Sequence, residues 1–378
     1  MNVGSISPGN GVGKKIVMKH NILRNDSLFT YQSLLERKQG YVHTYSPGTI
    51  IMRCCLLLII TIKLFNGCTS LPKDYPRTPS TAFQDCESTS IGIRCAIMES
   101  ELPGESGFTI IRYPRPAFTA RIMLTELAEK SLDVQYYIWE ADATGRILAE
   151  RLVRAADRGV KVRLLVDDMN LSGRNKVVAA IDASPNIEIR IFNPFAHRDS
   201  RVLDFLTDMR RVNHRMHNKI MVMDNAVAIV GGRNIGNHYF GVDTHANFRN
   251  LDIAAAGPVV REISATFDTF WNGDWSVTIE VLVDRPNTDE DLQAAMATVR
   301  KQIADNNYPH PLDQDVAALK AELNSVFDSF IWAPGQIVWD DPAAIYEEKQ
   351  RGRIGKAWAK KLEALKNKLT PIYHLVLS

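Results

Sequence analysis

Three polar side chains at fixed spacing in the middle of the chain are suited to chemistry on an anionic substrate. His217 and Lys219 lie two positions apart, so they face the same side of an extended strand. The ammonium of Lys219 can neutralise phosphate oxygens, and the imidazole of His217 can act as a nucleophile or proton carrier near neutral pH. Further on, Gly231 and Gly232 let the backbone approach a ligand closely, and the Asn234 amide can donate a hydrogen bond. Cationic side chains and amides stabilise negative charge, so this arrangement needs no metal or other cofactor.

Two short apolar runs, IMVMD and AVAIVG, predict a pair of strands that hold these groups and are joined just after Asp224. Alternation along the first strand places Lys219, Met221 and Met223 on one side and the intervening residues on the other. The strand pair therefore determines which side chains reach the site and which reach the core.

A regular alternation of helices and strands begins near residue 108. Periodicity and turn signals predict helices at 117–130 and 143–158, and strands at 132–139, 160–166 and 187–192. This rhythm predicts an α/β fold with βαβ units and a mixed or mostly parallel sheet, which binds ligands at the carboxyl ends of its strands. Asp167 and Asp168 follow one of these strands, where they form either a solvated strand end or a metal site.

Composition limits the classes of protein that fit. Hydrophobic residues make up 45% and charged residues 23% of the chain, which is typical of globular proteins and excludes a disordered chain or a multi-span membrane protein. Basic residues number 45 against 43 acidic ones, a balance that argues against a dedicated nucleic-acid binder. All five cysteines precede residue 96, so the stretch with the chemistry has no thiolate nucleophile or cysteine zinc site.

The spacing of these residues resembles the phospholipase D superfamily, whose signature is HxKxxxxD followed by G-G/S-x-N. Here the signature runs from His217 through Lys219 to Asp224, and then from Gly231 to Asn234. Flanking text such as LDVQYYIWEADATG, AADRGVKVRLLVDD and NFRNLDIAAAG resembles the bacterial cardiolipin synthases of the third, lipoprotein-like type (the C type). The resemblance covers about residues 108–378 and implies a phospholipase D-like lobe, a mixed sheet flanked by helices, followed by a helical segment.

The resemblance also implies roles for the residues of the signature. His217 would attack the phosphodiester phosphorus and form a phosphohistidine intermediate. Lys219, Gly232 and Asn234 would hold the non-bridging oxygens. Asp224 would support the geometry and charge balance of the motif without touching substrate.

Three residues outside the signature have two interpretations each. Asp252 is the candidate for the acidic residue that orients the nucleophilic histidine in this family, and its alternative role is that of a structural carboxylate on a strand. His214 and Arg215 either attract anionic headgroups or belong to a solvated face.

The implied activity is phosphatidyl transfer within phospholipid biosynthesis, from phosphatidylglycerol or phosphatidylethanolamine to an acceptor hydroxyl, giving cardiolipin. Water as acceptor would make the protein a phospholipase. One alternative is a one-motif phosphodiesterase or nuclease, against which the near-neutral charge and the lipid-anchor signal count, so no nucleic-acid partner is expected. Another is a catalytically inactive, membrane-attached fragment that binds anionic headgroups through Lys219 and Asn234.

Enzymes of this superfamily use two HxKxxxxD motifs, and only His217 among the nine histidines begins one. The chain is expected to be a first lobe at 108–285, with the motif region at 212–239, and a helical connector at 286–370. Residues 371–378 are expected to be the start of a missing second lobe. Two copies could pair their motifs as a homodimer, a separate protein could supply the second lobe, or the chain could be a truncated, inactive product.

The first 107 residues carry targeting signals. Residues 52–68 resemble a signal peptide that ends in a lipoprotein cleavage site, with Cys68 as the acylated residue. Residues 1–51 are then a doubtful extension before a true start at Met52, and 69–107 form a tether. The alternative is that the apolar run is part of a buried core. The signal interpretation places the protein in the bacterial cell envelope, on the membrane surface.

Overall fold

This computed structural model describes residues 77–198, 201–283, 288–305, 315–339 and 373–377, with a few single positions outside these ranges. The chain divides into two compact units, Met1–Cys68 and Thr69–Ser378. The predicted extension, signal segment and acylated Cys68 fall outside the described residues apart from single positions. The second unit contains all the residues of the signature.

A nine-stranded sheet forms the centre of this unit, in the order β8-β4-β3-β2-β5-β6-β7-β1-β9. Its strands are β1 (Ser106–Ile111), β2 (Ser131–Tyr136), β3 (Lys161–Asp167), β4 (Ile187–Phe192), β5 (Lys219–Met223), β6 (Val227–Gly231), β7 (Asp252–Ala256), β8 (Ser276–Thr278) and β9 (Ile331–Ala333). Strands β2, β3 and β4 run parallel to one another, because helices connect them, and β8 pairs antiparallel with β4. From β2 through β5, β6, β7 and β1 to β9, every pairing is antiparallel. The predicted α/β fold with a mixed sheet is therefore confirmed.

The helices of this unit pack on the sheet and begin and end at recognisable sequence signals. They are α1 (Ser90–Glu101), α2 (Pro114–Leu127), α3 (Ala143–Asp157), α4 (Asn175–Asp182), α5 (Arg201–Thr207), α6 (Met209–Val212), α7 (Asn237–Phe240), α8 (Pro258–Trp271), α9 (Asp289–Asp305) and α10 (Val316–Asp328). Asp142 caps α3 by accepting from the backbone N–H of Gly145 at 3.0 Å. The same helix ends just before Gly159, which has a φ of 93° and which an L side chain would strain.

The core lies on both faces of the sheet, because successive strand residues point to opposite sides. Met221 and Met223 of β5 pack into the larger cluster, which the helices α1–α4, α9 and α10 cover. Ile220 and Val222 pack on the other face against α8. The predicted alternation along this strand is confirmed.

Two boundaries differ from the sequence-based expectation. The segment expected to be a tether, 69–107, contains α1 and the start of β1, because Ile91 and Cys95 bury their side chains against the sheet. The connector expected to be helical over 286–370 contains α9 and α10 but also β9 and β10 (Gly335–Trp339). Strand β9 pairs with β1, so it forms one edge of the nine-stranded sheet. Strand β11 (Tyr373–Leu377) runs parallel to β10 and forms a separate two-stranded sheet with it.

Candidate active site

Of the signature residues, His217, Lys219 and Asn234 lie at the edge of the sheet where β2 and β3 end and β5 begins. The register pairs Tyr136, the last residue of β2, with Lys219, the first residue of β5. This is the carboxyl edge of the parallel strands, where α/β sheets bind their ligands. The fold therefore places the chemistry-bearing groups at the expected edge.

His217 and Lys219 share one neighbour, the ring of Tyr137. The His217 ring lies 4.3 Å from the Tyr137 ring, measured between centroids, and the Lys219 ammonium lies 5.7 Å from the Tyr137 centroid. The ammonium also donates a hydrogen bond to the carbonyl of His217. His217 is exposed and Lys219 is buried, so the imidazole faces solvent above a cation held beneath it.

Burial changes the acidity of both groups in a direction that suits nucleophilic chemistry. Partial burial, assisted by the charge of Lys219, lowers the pKa of His217 below its ordinary value of 6.5. The neutral, nucleophilic form of the imidazole is therefore favoured at pH 7. Burial lowers the pKa of Lys219 to about 8, so the ammonium remains mostly protonated at neutral pH and can neutralise an anion.

Asn234 is held beside this pair by the segment that follows β2. Its side-chain oxygen accepts from the backbone N–H of Ile138 at 3.1 Å, and its NH2 group donates to the Tyr239 hydroxyl at 3.0 Å. The backbone of the next residue, Ile235, accepts from Glu140 and donates to Ile138. An amide NH2 has two protons, and Tyr239 uses one of them.

The two glycines of the signature differ in what surrounds them. A Cβ on Gly231 would lie 2.6 Å from the backbone of both Asp252 and Leu251 on the neighbouring strand. Close strand packing therefore excludes a side chain there. A Cβ on Gly232 would meet only the Asn250 side chain, at 3.0 Å, so this position borders a more open region.

Asp224 lies at the far end of β5 from the histidine. Its carboxylate accepts from three consecutive backbone N–H groups, those of Glu129, Lys130 and Ser131, at 2.8–3.0 Å. These amides belong to the turn between α2 and β2. Asp224 therefore ties the β5–β6 turn to the start of the strand that carries Tyr137.

Asp252 does not have the surroundings of a residue that orients His217. Its carboxylate is buried and contacts Arg121 at 2.9 Å and Arg233 at 3.2 Å. Its other oxygen accepts from the backbone N–H of Arg233 at 3.2 Å. One oxygen therefore pairs with two guanidinium groups and the other accepts from a backbone amide, so the structure favours the alternative interpretation of Asp252 as a structural carboxylate.

Asp167 is neither a solvated strand end nor part of a metal site. It is buried, accepts from the backbone N–H of Met216 at 3.0 Å and pairs with Arg215 at 3.1 Å. Burial raises its pKa to about 6, against the opposing charge of Arg215. Asp168 is likewise buried and pairs with Arg198 and Arg201. Among the described residues, no group of three or more His, Cys, Asp or Glu side chains is placed to hold a metal ion.

Of the two flanking basic residues, Arg215 departs from both interpretations. Its guanidinium is buried against Asp167 and the Phe195 ring, so it does not lie on a solvated face. The His214 ring contacts the carbonyl of Arg210 and remains partly exposed.

In the part of the chain that the structure covers, no helix is both long enough and apolar enough to cross a membrane.

Comparison with known proteins shows what this chain is similar to. Residues 122–271 match the family model described as "Cardiolipin synthase, PLD-like domain". Cardiolipin synthase C of Escherichia coli (strain K12) is 38% identical over 248 residues, which are 65% of this chain and 51% of that protein. An uncharacterized protein of Helicobacter pylori (strain ATCC 700392 / 26695) is 35% identical over 228 residues, 60% of this chain and 45% of that protein.

Among solved structures, the phospholipase D family member Nuc from Salmonella typhimurium superposes with a TM-score of 0.32 and 17% identity, over 46% of this chain and 97% of that chain. This chain spans about half the length of the two curated relatives. Its residues 122–271 are similar to the phospholipase D-like domain of cardiolipin synthases. Within that class, its sequence is similar to cardiolipin synthase C.

The site contains residues that sequence reasoning did not find. Tyr137 contacts both His217 and Lys219, Tyr239 holds the Asn234 amide, and Arg121 and Arg233 neutralise Asp252. Arg233 lies inside the Gly-Gly-x-Asn signature and Tyr137 lies within the predicted strand 132–139, so the sequence showed their positions but not their partners. Arg121 lies 131 residues before its partner, and no local pattern reveals that pairing.

Proposed function

We propose that this protein provides one half of a phospholipase D-type phosphatidyltransferase of the cardiolipin synthase kind, with His217 as nucleophile. The observation that supports this proposal best is the solvent-exposed His217 ring above the buried Lys219 ammonium at the Tyr137 ring. A neutral imidazole and a protonated amine at one point suit attack on a phosphodiester.

The proposed reaction has two steps. A ring nitrogen of His217 attacks the phosphorus of a phospholipid, a P–N bond forms, and the P–O bond to the headgroup alcohol breaks. The hydroxyl of an acceptor lipid then attacks the phosphohistidine, which restores the free imidazole and gives the transferred phosphatidyl ester. Lys219 and the second N–H of Asn234 stabilise the charge on the non-bridging oxygens. Asp224 acts at a distance, by fixing the β5–β6 turn.

The departing alkoxide needs a proton, and the acceptor hydroxyl must lose one. A second imidazole performs both transfers in this proposal. His217 is the only histidine of this chain that begins an HxKxxxxD motif. The second motif therefore comes from a second copy of the chain or from a complementing lobe. The phospholipid substrates, such as phosphatidylglycerol or phosphatidylethanolamine, place the reaction at a membrane surface.

A transfer assay with labelled phosphatidylglycerol in mixed micelles tests the proposal. Purified chain should form cardiolipin at a rate that rises more steeply than linearly with protein concentration if two copies pair. His217→Ala should abolish turnover, whereas His245→Ala, an exposed histidine on the loop before β7, should not. Acid-labile, base-stable label on wild-type protein, absent from His217→Ala, would identify the phosphohistidine.

Two outcomes would overturn the proposal. Turnover that survives His217→Ala would exclude this residue as the nucleophile. Absence of turnover at every protein concentration, and after addition of a lobe that carries the second motif, would favour a fragment that only binds anionic headgroups.

A further inference from the structure

The short helices α5 and α6 expose several large apolar side chains, whereas one of their carboxylates is buried. Val202, Leu206 and Met209 are 66%, 76% and 61% exposed. Val202 and Leu206 are four residues apart and share one face of α5, and Met209 begins α6. Asp204, by contrast, is buried and accepts from the backbone of Ala196 and His197. This polarity is the reverse of an ordinary surface helix, and such patches mark interaction sites.

This face is anchored to the base of the active site. Arg211 of α6 pairs with Asp204 at 3.1 Å and donates to the carbonyl of Pro194 at 2.8 Å. The Phe205 ring packs on Phe195, which also contacts the Arg215 guanidinium two residues before the nucleophile. The exposed apolar face is therefore connected, through Phe195 and Arg215, to the segment that carries His217.

A second exposed apolar pair flanks the other side of the site. Phe248 and Leu251 are 52% and 55% exposed. Phe248 packs on the Tyr239 ring, with centroids 5.1 Å apart, and Tyr239 accepts from the Asn234 amide. The carbonyl of Leu251 accepts from the N–H of Gly232. The proposed phosphate-binding groups thus lie between two apolar rims.

Exposed arginines accompany both rims. Arg210 adjoins Met209, and Arg249 lies between Phe248 and Leu251 in the sequence. Hydrocarbon contact combined with attraction to phosphate is offered by the interface of an anionic bilayer. A two-fold contact between copies through the same face would instead bring like charges together.

We propose that these two rims, defined as Val202, Phe205, Leu206, Met209 and Arg210 together with Phe248, Arg249 and Leu251, dock on the surface of a bilayer that contains anionic phospholipid. The inference rests on the proposed phospholipid substrate and adds the surface that delivers it. Shallow insertion of the rims places the exposed His217 at the depth of the lipid phosphodiesters, so the substrate need not leave the membrane.

A local probe tests this docking directly in the full chain. The five native cysteines are replaced by alanine, and an environment-sensitive fluorophore is attached at Leu206→Cys or, as the matched control, at Ile97→Cys. Ile97 is a similarly exposed apolar residue on α1. Vesicles of phosphatidylglycerol and phosphatidylcholine should shift the emission of the label at position 206 to the blue. Doxyl-labelled lipid should quench that label, and the label at position 97 should not respond.

Flotation of the unlabelled chain with the same vesicles provides the second measurement. Leu206→Ser/Met209→Ser should weaken partitioning by about tenfold or more, since two large apolar side chains lose their contact with hydrocarbon. Ile93→Ser/Ile97→Ser should leave it unchanged. An unresponsive label at position 206 on vesicle-bound protein, or equal partitioning of both double variants, would overturn the inference.

The docking surface and the proposed function are tested by different experiments. Hydrolysis of soluble bis(p-nitrophenyl) phosphate should depend on His217 and needs no membrane. If the wild-type chain did not hydrolyse this diester, the result would contradict the proposed function alone. If the chain hydrolysed the soluble diester but the fluorophore at position 206 did not respond to vesicles, the result would contradict the docking surface alone.

Discussion

The guanidinium of Arg121 donates to the carboxylate of Asp252 at 2.9 Å, and both side chains are completely buried. Arg233 adds a second guanidinium to the same carboxylate at 3.2 Å. Arg121 is on α2, Asp252 begins β7, and Arg233 follows the Gly-Gly pair. This ion cluster therefore holds together three elements that surround the active site.

Asp252→Asn should act on stability. The substitution leaves two buried guanidinium groups without a countercharge, and breaking a buried pair of this kind costs about 3–5 kcal/mol. Chemical denaturation should show this loss in the free energy of unfolding. The matched control is Asp274→Asn, which breaks the surface pair with Arg77 and should cost at most about 1 kcal/mol. If Asp252→Asn kept full stability but lost turnover, Asp252 would be an orienting residue of the nucleophile after all.

Asp224→Asn should also lower stability, by about 1–3 kcal/mol, because an NH2 group replaces an oxygen that accepts from a buried backbone N–H. Turnover measured on the folded fraction should keep its KM, since Asp224 lies at the opposite end of β5 from the proposed site. Asp157→Asn, at an exposed carboxylate on α3, should change neither quantity. A raised KM with unchanged unfolding would contradict the supporting role.

The pH dependence of kcat/KM should be bell-shaped. On the acidic side, rate is lost as His217 becomes protonated, at a pH below 6.5 because burial and Lys219 lower its pKa. On the alkaline side, rate is lost through about pH 8 as Lys219 gives up its proton. Lys219→Arg should weaken activity, since the shapes differ, yet remove the alkaline limb, because a guanidinium does not titrate there. An unchanged alkaline limb would assign it to another group.

Local sequence patterns were sufficient for the groups that sit close together along the chain. The two-residue spacing of His217 and Lys219 predicted a shared side, and both contact Tyr137. Alternation predicted the two faces of β5, because a strand has a fixed period of two. The alternation of helices and strands along the chain predicted the mixed sheet, because strand–helix–strand units form parallel strand pairs.

Long-range pairing was beyond the reach of these patterns. The partner of Asp252 is a buried arginine 131 residues earlier, and a carboxylate near a motif fits a catalytic or a structural role equally well. The Ser, Thr and Pro content before residue 108 suggested a tether, yet Ile91 and Cys95 supply one buried face that is enough for a helix on the sheet. Strand β9 was missed because three residues carry too little periodicity.

Asp182 offers a test of how burial of a lone carboxylate affects stability. Burial raises its pKa to about 7, with help from the nearby charges of Glu280 and Glu188 and against the hydrogen bond from the N–H of Ile189. The ordinary value is 3.8, so between about pH 4 and 7 the folded state holds a proton that the unfolded state has released. The free energy of unfolding must therefore fall as pH rises through this window.

Asp182→Asn should remove that dependence, because the amide does not ionise while its oxygen still accepts from Ile189. Urea denaturation at pH 5 and pH 8 should show that the free energy of unfolding of the variant, relative to that of the wild type, rises by on the order of 1 kcal/mol between these pH values. Asp305→Asn, at the exposed end of α9, should follow the wild-type curve. Parallel pH profiles for wild type and Asp182→Asn would contradict this prediction. They would show that the pKa of Asp182 is the same in the folded and the unfolded state.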